Sequence, residues 1–303
     1  MKIGTRASAL ALAQSRQVAR MLGDAGVAGV ELVEVHTSGD KDVVRPLAEI
    51  GGQGVFTREL EEALLDGRVD LAVHSLKDLP TRLPDGLALA GVPLREDVRD
   101  VLVSRGGVTL DRLPSGARLG TSSLRRSSQI LALRPDLKAL EIRGNVPTRL
   151  RKLDEGDFDA IVLALAGLKR LGLDGRVTEV LDPERVLPAV AQGALGLETR
   201  ENDPATRESV AKLIHPESQA AAIAERALLR TLGGGCRLPI GAWARMEDGR
   251  LVMDGCACSV DGRKVLRAHS SGTLDRADEL GVEVGRMLAD QGAAKLLQGV
   301  SPA

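Results

Sequence analysis

Ala72-Val73-His74-Ser75-Leu76-Lys77-Asp78-Leu79-Pro80 reads as a buried apolar strand that stops abruptly in Ser, Lys and Asp. In open α/β sheets ligands bind just beyond the carboxyl ends of the strands. Asp78 therefore stands where chemistry happens, and a carboxylate there can stabilise a cation or move a proton. The plain alternative is a loop aspartate that caps a turn. Residues 2–6 and 30–35 read as two further strands. Between them Leu10, Gln14, Val18, Met21 and Leu22 keep a helical period that Gly23 closes. Thr57 is placed to cap a helix whose first turns carry Glu59, Glu61 and Glu62 and which Gly67 ends. Such βαβ order predicts a largely parallel sheet with helices on its faces.

A second βα series begins near Val101. Residues 101–104, 119–121, 140–143 and 160–164 are strand-like, with helices predicted over 124–133, 147–153 and 166–171. Pro147, just after Asn145, suits a first helical position. The polar segment Gly91-Val92-Pro93-Leu94-Arg95-Glu96-Asp97 separates the two series and suits a hinge. The last third changes character. Residues 216–232 read as one helix stopped by Gly233-Gly234-Gly235. Three strand-like runs follow, punctuated by Asp248-Gly249 and Asp261-Gly262, a strong hairpin signal. One helix is predicted over about 275–297.

Composition narrows the classes. A chain of 303 residues is long enough for two or three domains. Hydrophobic content of 43% and charged content of 27% describe an ordinary water-soluble fold. Aromatic content is 1%, so the core must be aliphatic. A formal net charge of −1 lacks the basic excess of a nucleic-acid binder. No leader-like apolar segment and no bilayer-length run is present, and a cytoplasmic location is expected. The odd count of Cys236, Cys256 and Cys258 argues against a disulfide framework, and their spacing against a zinc site. Cys256 and Cys258 alternate onto one strand face and read as core. No metal is expected.

Three further motifs carry chemistry. Gly120-Thr121-Ser122-Ser123-Leu124-Arg125-Arg126 joins a strand to a helix, gathering N–H groups, hydroxyls and guanidiniums into an anion site. Ile142-Arg143-Gly144-Asn145-Val146-Pro147-Thr148-Arg149 does the same at another junction, and Arg6 with Ser8 at a third. A capped helix with solvated arginines is the plain alternative for any one of them. Arg6, Arg125, Arg126, Arg143 and Arg149 all fall at strand ends or the turns after them, which suggests a cleft for several carboxylates or phosphates. Without a Gly-x-Gly-x-x-Gly or Walker loop, polycarboxylates are the better fit. Lastly, Cys236 sits on the glycine loop Gly233-Gly234-Gly235-Cys236-Arg237, as a nucleophile, an attachment point or a buried small hydrophobe.

Taken together these stretches resemble the porphobilinogen deaminase family over nearly the whole chain. The likeness is carried by Thr5-Arg6-x-Ser8, Gly51-Gly52-x-Gly54-x-Phe56, His74-Ser75-x-Lys77-Asp78, Arg95-Glu96-Asp97, the stretch 120–126, Arg143-Gly144-Asn145, the stretch 164–173, Gln192-Gly193-Ala194 and Gly234-Gly235-Cys236. The resemblance implies two lobes like those of periplasmic solute-binding proteins, over 1–94 with 194–211 and over 99–187. A small α+β domain with a three-stranded antiparallel sheet would follow over 216–303. It implies a dipyrromethane cofactor joined by a thioether to Cys236, with Lys77, Ser75, Thr121, Ser123, Arg125, Arg126, Gly144 and Gln192 around it. It makes Asp78 the catalytic group, and Arg6, Ser8, Gln14, Arg143, Arg149, Arg170, Gln53 and Arg58 substrate contacts. The implied reaction joins four porphobilinogen molecules head to tail, with loss of ammonia, into hydroxymethylbilane, on a monomer. Porphobilinogen bears acetate and propionate groups, which guanidiniums pair with in bidentate fashion. The sequence departs from the family at Gln53, where a Lys is common and where Arg58 is the nearby substitute charge, and at Pro147. The rival reading is a non-catalytic two-lobed anion binder or sensor.

Overall fold

The computed structural model describes residues 1–36, 57–233 and 238–297. Among these residues the strands are β1 Lys2–Thr5, β2 Glu31–Glu34, β3 Leu71–Ser75, β4 Leu87–Gly91, β5 Asp100–Ser104, β6 Arg118–Gly120 and β7 Lys138–Leu140. They continue with β8 Ala160–Ala164, β9 Glu179–Val180, β10 Leu195–Arg200, β11 Ile240–Glu247, β12 Arg250–Cys258 and β13 Val265–Gly272. The helices are α1 Ala9–Asp24, α2 Arg58–Leu65, α3 Leu124–Leu133, α4 Val146–Asp154 and α5 Leu165–Arg170. After them come α6 Pro204–Ala211, α7 Pro216–Thr231, α8 Ala277–Asp290 and α9 Ala293–Leu297. No described helix is long and apolar enough to cross a membrane.

The chain divides into two compact units. The first is Met1–Glu96 with Gly193–Gln219; the second is Asp97–Gln192 with the described residues from Ala220 on. In the first unit the sheet order is β2-β1-β3-β10-β4. β1, β2 and β3 run parallel, while β10 is antiparallel to both β3 and β4. The second unit repeats the plan as β7-β6-β8-β5-β9, with β5 antiparallel to its neighbours β8 and β9. In each sheet the reversed strand is the first one laid down after the chain has crossed from the other unit. This is the α/β architecture implied by the resemblance to solute-binding lobes. The sheets are mixed rather than largely parallel, because that crossing strand enters from the opposite end.

Aliphatic packing covers both faces of the first sheet. Ile3, Val18, Leu22, Leu71, Val73, Leu195 and Leu197 form one layer, and Leu60, Ala63, Leu64, Val69 and Ala72 another. Burying one such Leu or Val fully is worth about 1.5–3 kcal/mol. The helix starts follow their capping residues. Ser8 Oγ accepts from the Ala11 N–H at 3.4 Å, and Asn145 Oδ1 from the Thr148 N–H at 3.0 Å. Thr57 occupies the cap position of α2 but makes no side-chain cap bond, contrary to expectation, because its backbone is already helical, with ψ −28°. The strand expected over 140–143 lies earlier, at β7, because its parallel partner β6 offers three residues, Arg118–Gly120, to pair with.

In the second unit β11, β12 and β13 form the expected three-stranded antiparallel sheet. Asp248 and Gly249 turn the first hairpin with φ of 48° and 76°, the left-handed pair a tight two-residue turn requires. Cys256 and Cys258 are fully buried in β12, as core. The single final helix expected over 275–297 is two, α8 and α9, parted at Gly292. Helices α7 and α8 meet at Gly281, where an added Cβ would stand 2.0 Å from the Ala224 carbonyl oxygen. Gly281→Ala should therefore force the helices apart and cost about 1–3 kcal/mol or more, as core overpacking does. A lowered thermal midpoint with unchanged far-UV dichroism would bear this out, and an unchanged midpoint would refute the close approach.

Candidate active site

The first unit carries a recess at the carboxyl ends of β1 and β3. It is lined by Arg6, Ser8, Leu10, Ala11, Gln14, Thr57, Val73, His74, Ser75 and Asp78, and its cavity volume is about 80 Å³. Its position follows from the strand order. β1 and β3 are neighbours, so the turns that leave them converge. α1 starts from the turn after β1, and its free N–H groups make the recess hospitable to anions. Buried Gln14 donates from Nε2 to Ser75 Oγ at 2.7 Å, which ties α1 to the end of β3. After Ser75 the chain makes a 3-10 turn, Leu76–Asp78, that anchors Leu76 in the core and leaves Asp78 exposed. Expected residues Arg6, Ser8, Gln14, Ser75 and Asp78 are thus brought together. Lys77 lies on the same turn, half-buried. Arg58 does not line the recess; its exposed guanidinium pairs with Glu62 one turn along α2 at 3.1 Å.

The second unit holds the other group. Arg125 and Arg126, on the first turn of α3, are buried at 4% and 7% exposure. Both meet Asp100 at the start of β5, at 2.7 and 2.8 Å. Burial pushes the Asp100 carboxyl up, but the two guanidiniums outweigh it and hold it well below the usual carboxylate range. Gln192 donates from Nε2 to Asp100 Oδ1 at 2.8 Å and to the Val98 carbonyl at 2.8 Å. Arg125 also donates to the Leu187 carbonyl at 2.6 Å, and among the described residues its buried Nε has no hydrogen-bond partner. Ser123 caps α3, accepting from the Arg126 N–H, and the Thr121 hydroxyl accepts from the Ser123 N–H. Arg149 donates to the Gly144 carbonyl at 2.8 Å, and Arg143 stands 3.8 Å from Glu141. Gly144 has φ 106°, and a Cβ there would collide with Thr148. Arg170 is half-buried on the last turn of α5. Gln53 and Cys236 lie outside the described residues.

Three groups escaped the sequence reading. Asp100 stands one residue before the strand expected over 101–104, where nothing in the sequence marks it. His74 carries no role of its own in the His74-Ser75-x-Lys77-Asp78 stretch, and Glu198 none in the segment 194–211. Yet His74 Nε2 lies 2.8 Å from Glu198 Oε2, both side chains being buried. A carboxylate at an otherwise apolar strand position, as in Leu195-Gly196-Leu197-Glu198, is the signal that could have found it.

This is a two-lobed α/β protein with an anion-receptive recess at its strand ends, a buried arginine cluster and an appended antiparallel sheet. Residues 1–208 match the description "Porphobilinogen deaminase, dipyromethane cofactor binding domain", and residues 219–290 "Porphobilinogen deaminase, C-terminal domain". The porphobilinogen deaminase of Syntrophobacter fumaroxidans is 51% identical over 99% of this chain and 97% of its own length. That of Desulforudis audaxviator is 51% identical over 98% and 97%. Among solved structures, the methionine-binding protein MetQ aligns over 71% of this chain and 88% of its own with 19% identity and a TM-score of 0.44. The chain belongs to the porphobilinogen deaminase family.

The family's dipyrromethane cofactor carries carboxylates, and the residues of the second unit suit it. Two arginines face one aspartate, leaving a net positive charge, and the buried Arg125 Nε lacks an acceptor among the described residues. A buried donor left unpaired costs about 1–3 kcal/mol, a penalty that an anionic ligand removes.

Proposed function

We propose that this chain condenses four porphobilinogen molecules head to tail, with loss of ammonia, to give hydroxymethylbilane. The observation that carries the proposal is Asp78, an exposed carboxylate at the end of a buried strand, beside Arg6 and Ser8 in one recess. Arg6 and Ser8 hold the acetate and propionate groups of the incoming pyrrole, aided by the N-terminal N–H groups of α1. Asp78 accepts from the pyrrole N–H and sets a negative charge where positive charge develops as the amine departs. Gln14 fixes Ser75, and with it the turn that aims Asp78. Lys77, Arg143, Arg149 and Arg170 hold further carboxylates, so that the lengthening product stays neutralised.

When bound, the dipyrromethane supplies the free α-carbon to which pyrroles are added. Cys236 would carry it, with Ser75, Lys77, Thr121, Ser123, Arg125, Arg126, Gly144 and Gln192 as its polar partners. Gln53 and Arg58 complete the substrate contacts in this reading. We read the chain as three domains, over 1–94 with 194–211, 99–187 and 216–303, acting as a cytoplasmic monomer.

Intact-protein mass spectrometry of the protein from a porphyrin-making cell tests this first. An excess of two pyrrole units mapped to Cys236 is the expected result, together with conversion of porphobilinogen to hydroxymethylbilane. Cys236→Ser should show the bare polypeptide mass, while Cys256→Ser, buried in β12, should keep the excess. A bare wild-type mass that incubation with porphobilinogen does not change would refute the assignment.

A further inference from the structure

The wall of the recess contains a buried dyad that the reaction above does not use. His74 lines the recess, and its Nε2 is held at 2.8 Å by Glu198 from β10. A carboxylate on one ring nitrogen fixes that nitrogen as the N–H and leaves the other as a bare acceptor. Among the described residues Nδ1 has no hydrogen-bond partner. Glu61, from α2, stands in the same cluster, and its carboxyl is raised by burial, with Glu198 and Glu59 adding to the shift and His74 opposing it. Arg6 and Asp78 are the other charged groups on the recess wall.

If the reaction is the pyrrole condensation proposed above, every addition must dispose of a proton. The C–N bond of the aminomethyl group breaks and its electron pair leaves with ammonia. A C–C bond then forms from the π-pair of the acceptor pyrrole's free α-carbon. That carbon's C–H bond breaks, its pair returns to the ring, and one proton is released. Asp78 is poorly suited to keep that proton, because protonation would erase the negative charge that the next cation needs. We propose that His74, oriented by Glu198, accepts the proton at Nδ1.

Two measurements test this. In the resting protein at pH 7, the imidazole 15N spectrum should show His74 protonated at Nε2 and bare at Nδ1; a proton on Nδ1 overturns the proposal. His74→Gln retains a donor toward Glu198 while removing the base. It should lower kcat by about 10²–10⁴-fold with KM little changed, the usual range for loss of a general base. It should also expose a primary isotope effect with porphobilinogen deuterated at its free α-carbon, which a merely structural role would not produce. Wild-type kcat in this variant, or a loss of rate without an isotope effect, overturns the base. Failure of the wild-type chain to convert porphobilinogen would instead sink the condensation reading itself. Were the variant not to fold, the wild-type 15N spectrum alone decides.

Discussion

Asp78→Asn should yield a folded protein whose single-turnover rate with porphobilinogen is lower by about 10²–10⁴-fold, the range found when one positioned proton-handling or charge-stabilising group is lost. The fold should survive because Asp78 is exposed and makes no side-chain hydrogen bond or ion pair among the described residues. The local backbone is held elsewhere, by Leu76 in the core and by the Leu79 N–H bonded to the Leu76 carbonyl at 3.2 Å. Asparagine matches the shape of aspartate and can still accept a hydrogen bond from a pyrrole N–H. It carries no charge, so the loss isolates electrostatic stabilisation from binding. Thermal midpoint and KM should change little while kcat falls. A variant with near-normal single-turnover rate would remove Asp78 from the chemistry.

The second large effect concerns stability. Asp100→Asn keeps the size of the side chain but leaves two buried guanidiniums facing no anion. Breaking a buried ion pair on one side typically costs about 3–5 kcal/mol, because the remaining charge stays desolvated. Denaturant unfolding at pH 7 should show a loss of that order, and a change below about 1 kcal/mol would mean that the cluster contributes no more than a surface pair. The pH dependence has a definite sign. The folded-state pKa of Asp100 lies below its unfolded value, so its contribution is complete above the unfolded carboxylate pKa. It declines only as pH falls toward the folded value. The gap between wild type and variant should thus be constant through neutral and mildly acidic pH and close only in strong acid.

These two residues also mark the boundary between local and long-range information. Asp78 was legible because its signal is contiguous: an apolar run ending in Ser, Lys and Asp reports a strand end by itself. The same holds for the helix start at Asn145-Val146-Pro147, for the Asp248-Gly249 hairpin and for α3 at Leu124–Leu133, all set by interactions within a few residues. The topological class could be read as well, since alternating strands and helices leave few other packings. The final helix was misjudged only at Gly292, where a lone glycine with φ 97° breaks a pattern that the surrounding periodicity supports.

What the tertiary structure alone decided is which polar groups face one another. Arg126 meets Asp100 across 26 residues, Gln14 meets Ser75 across 61, and His74 meets Glu198 across 124. Each contact depends on sheet order. β10 enters between β3 and β4 only after the chain has crossed into the second unit and returned, and β5 ends between β8 and β9, which are both laid down after it. No local propensity encodes those insertions, because they are selected by burial of both faces of the completed sheets. Local sequence alone thus gave away strands such as β1, β3 and β8, the Asp248-Gly249 turn and the exposed carboxylate at a strand end, but not β4, β9 or β10. Whether an arginine is solvated or buried against an aspartate, and whether a histidine is backed by a glutamate, was decided by the three-dimensional order of strands.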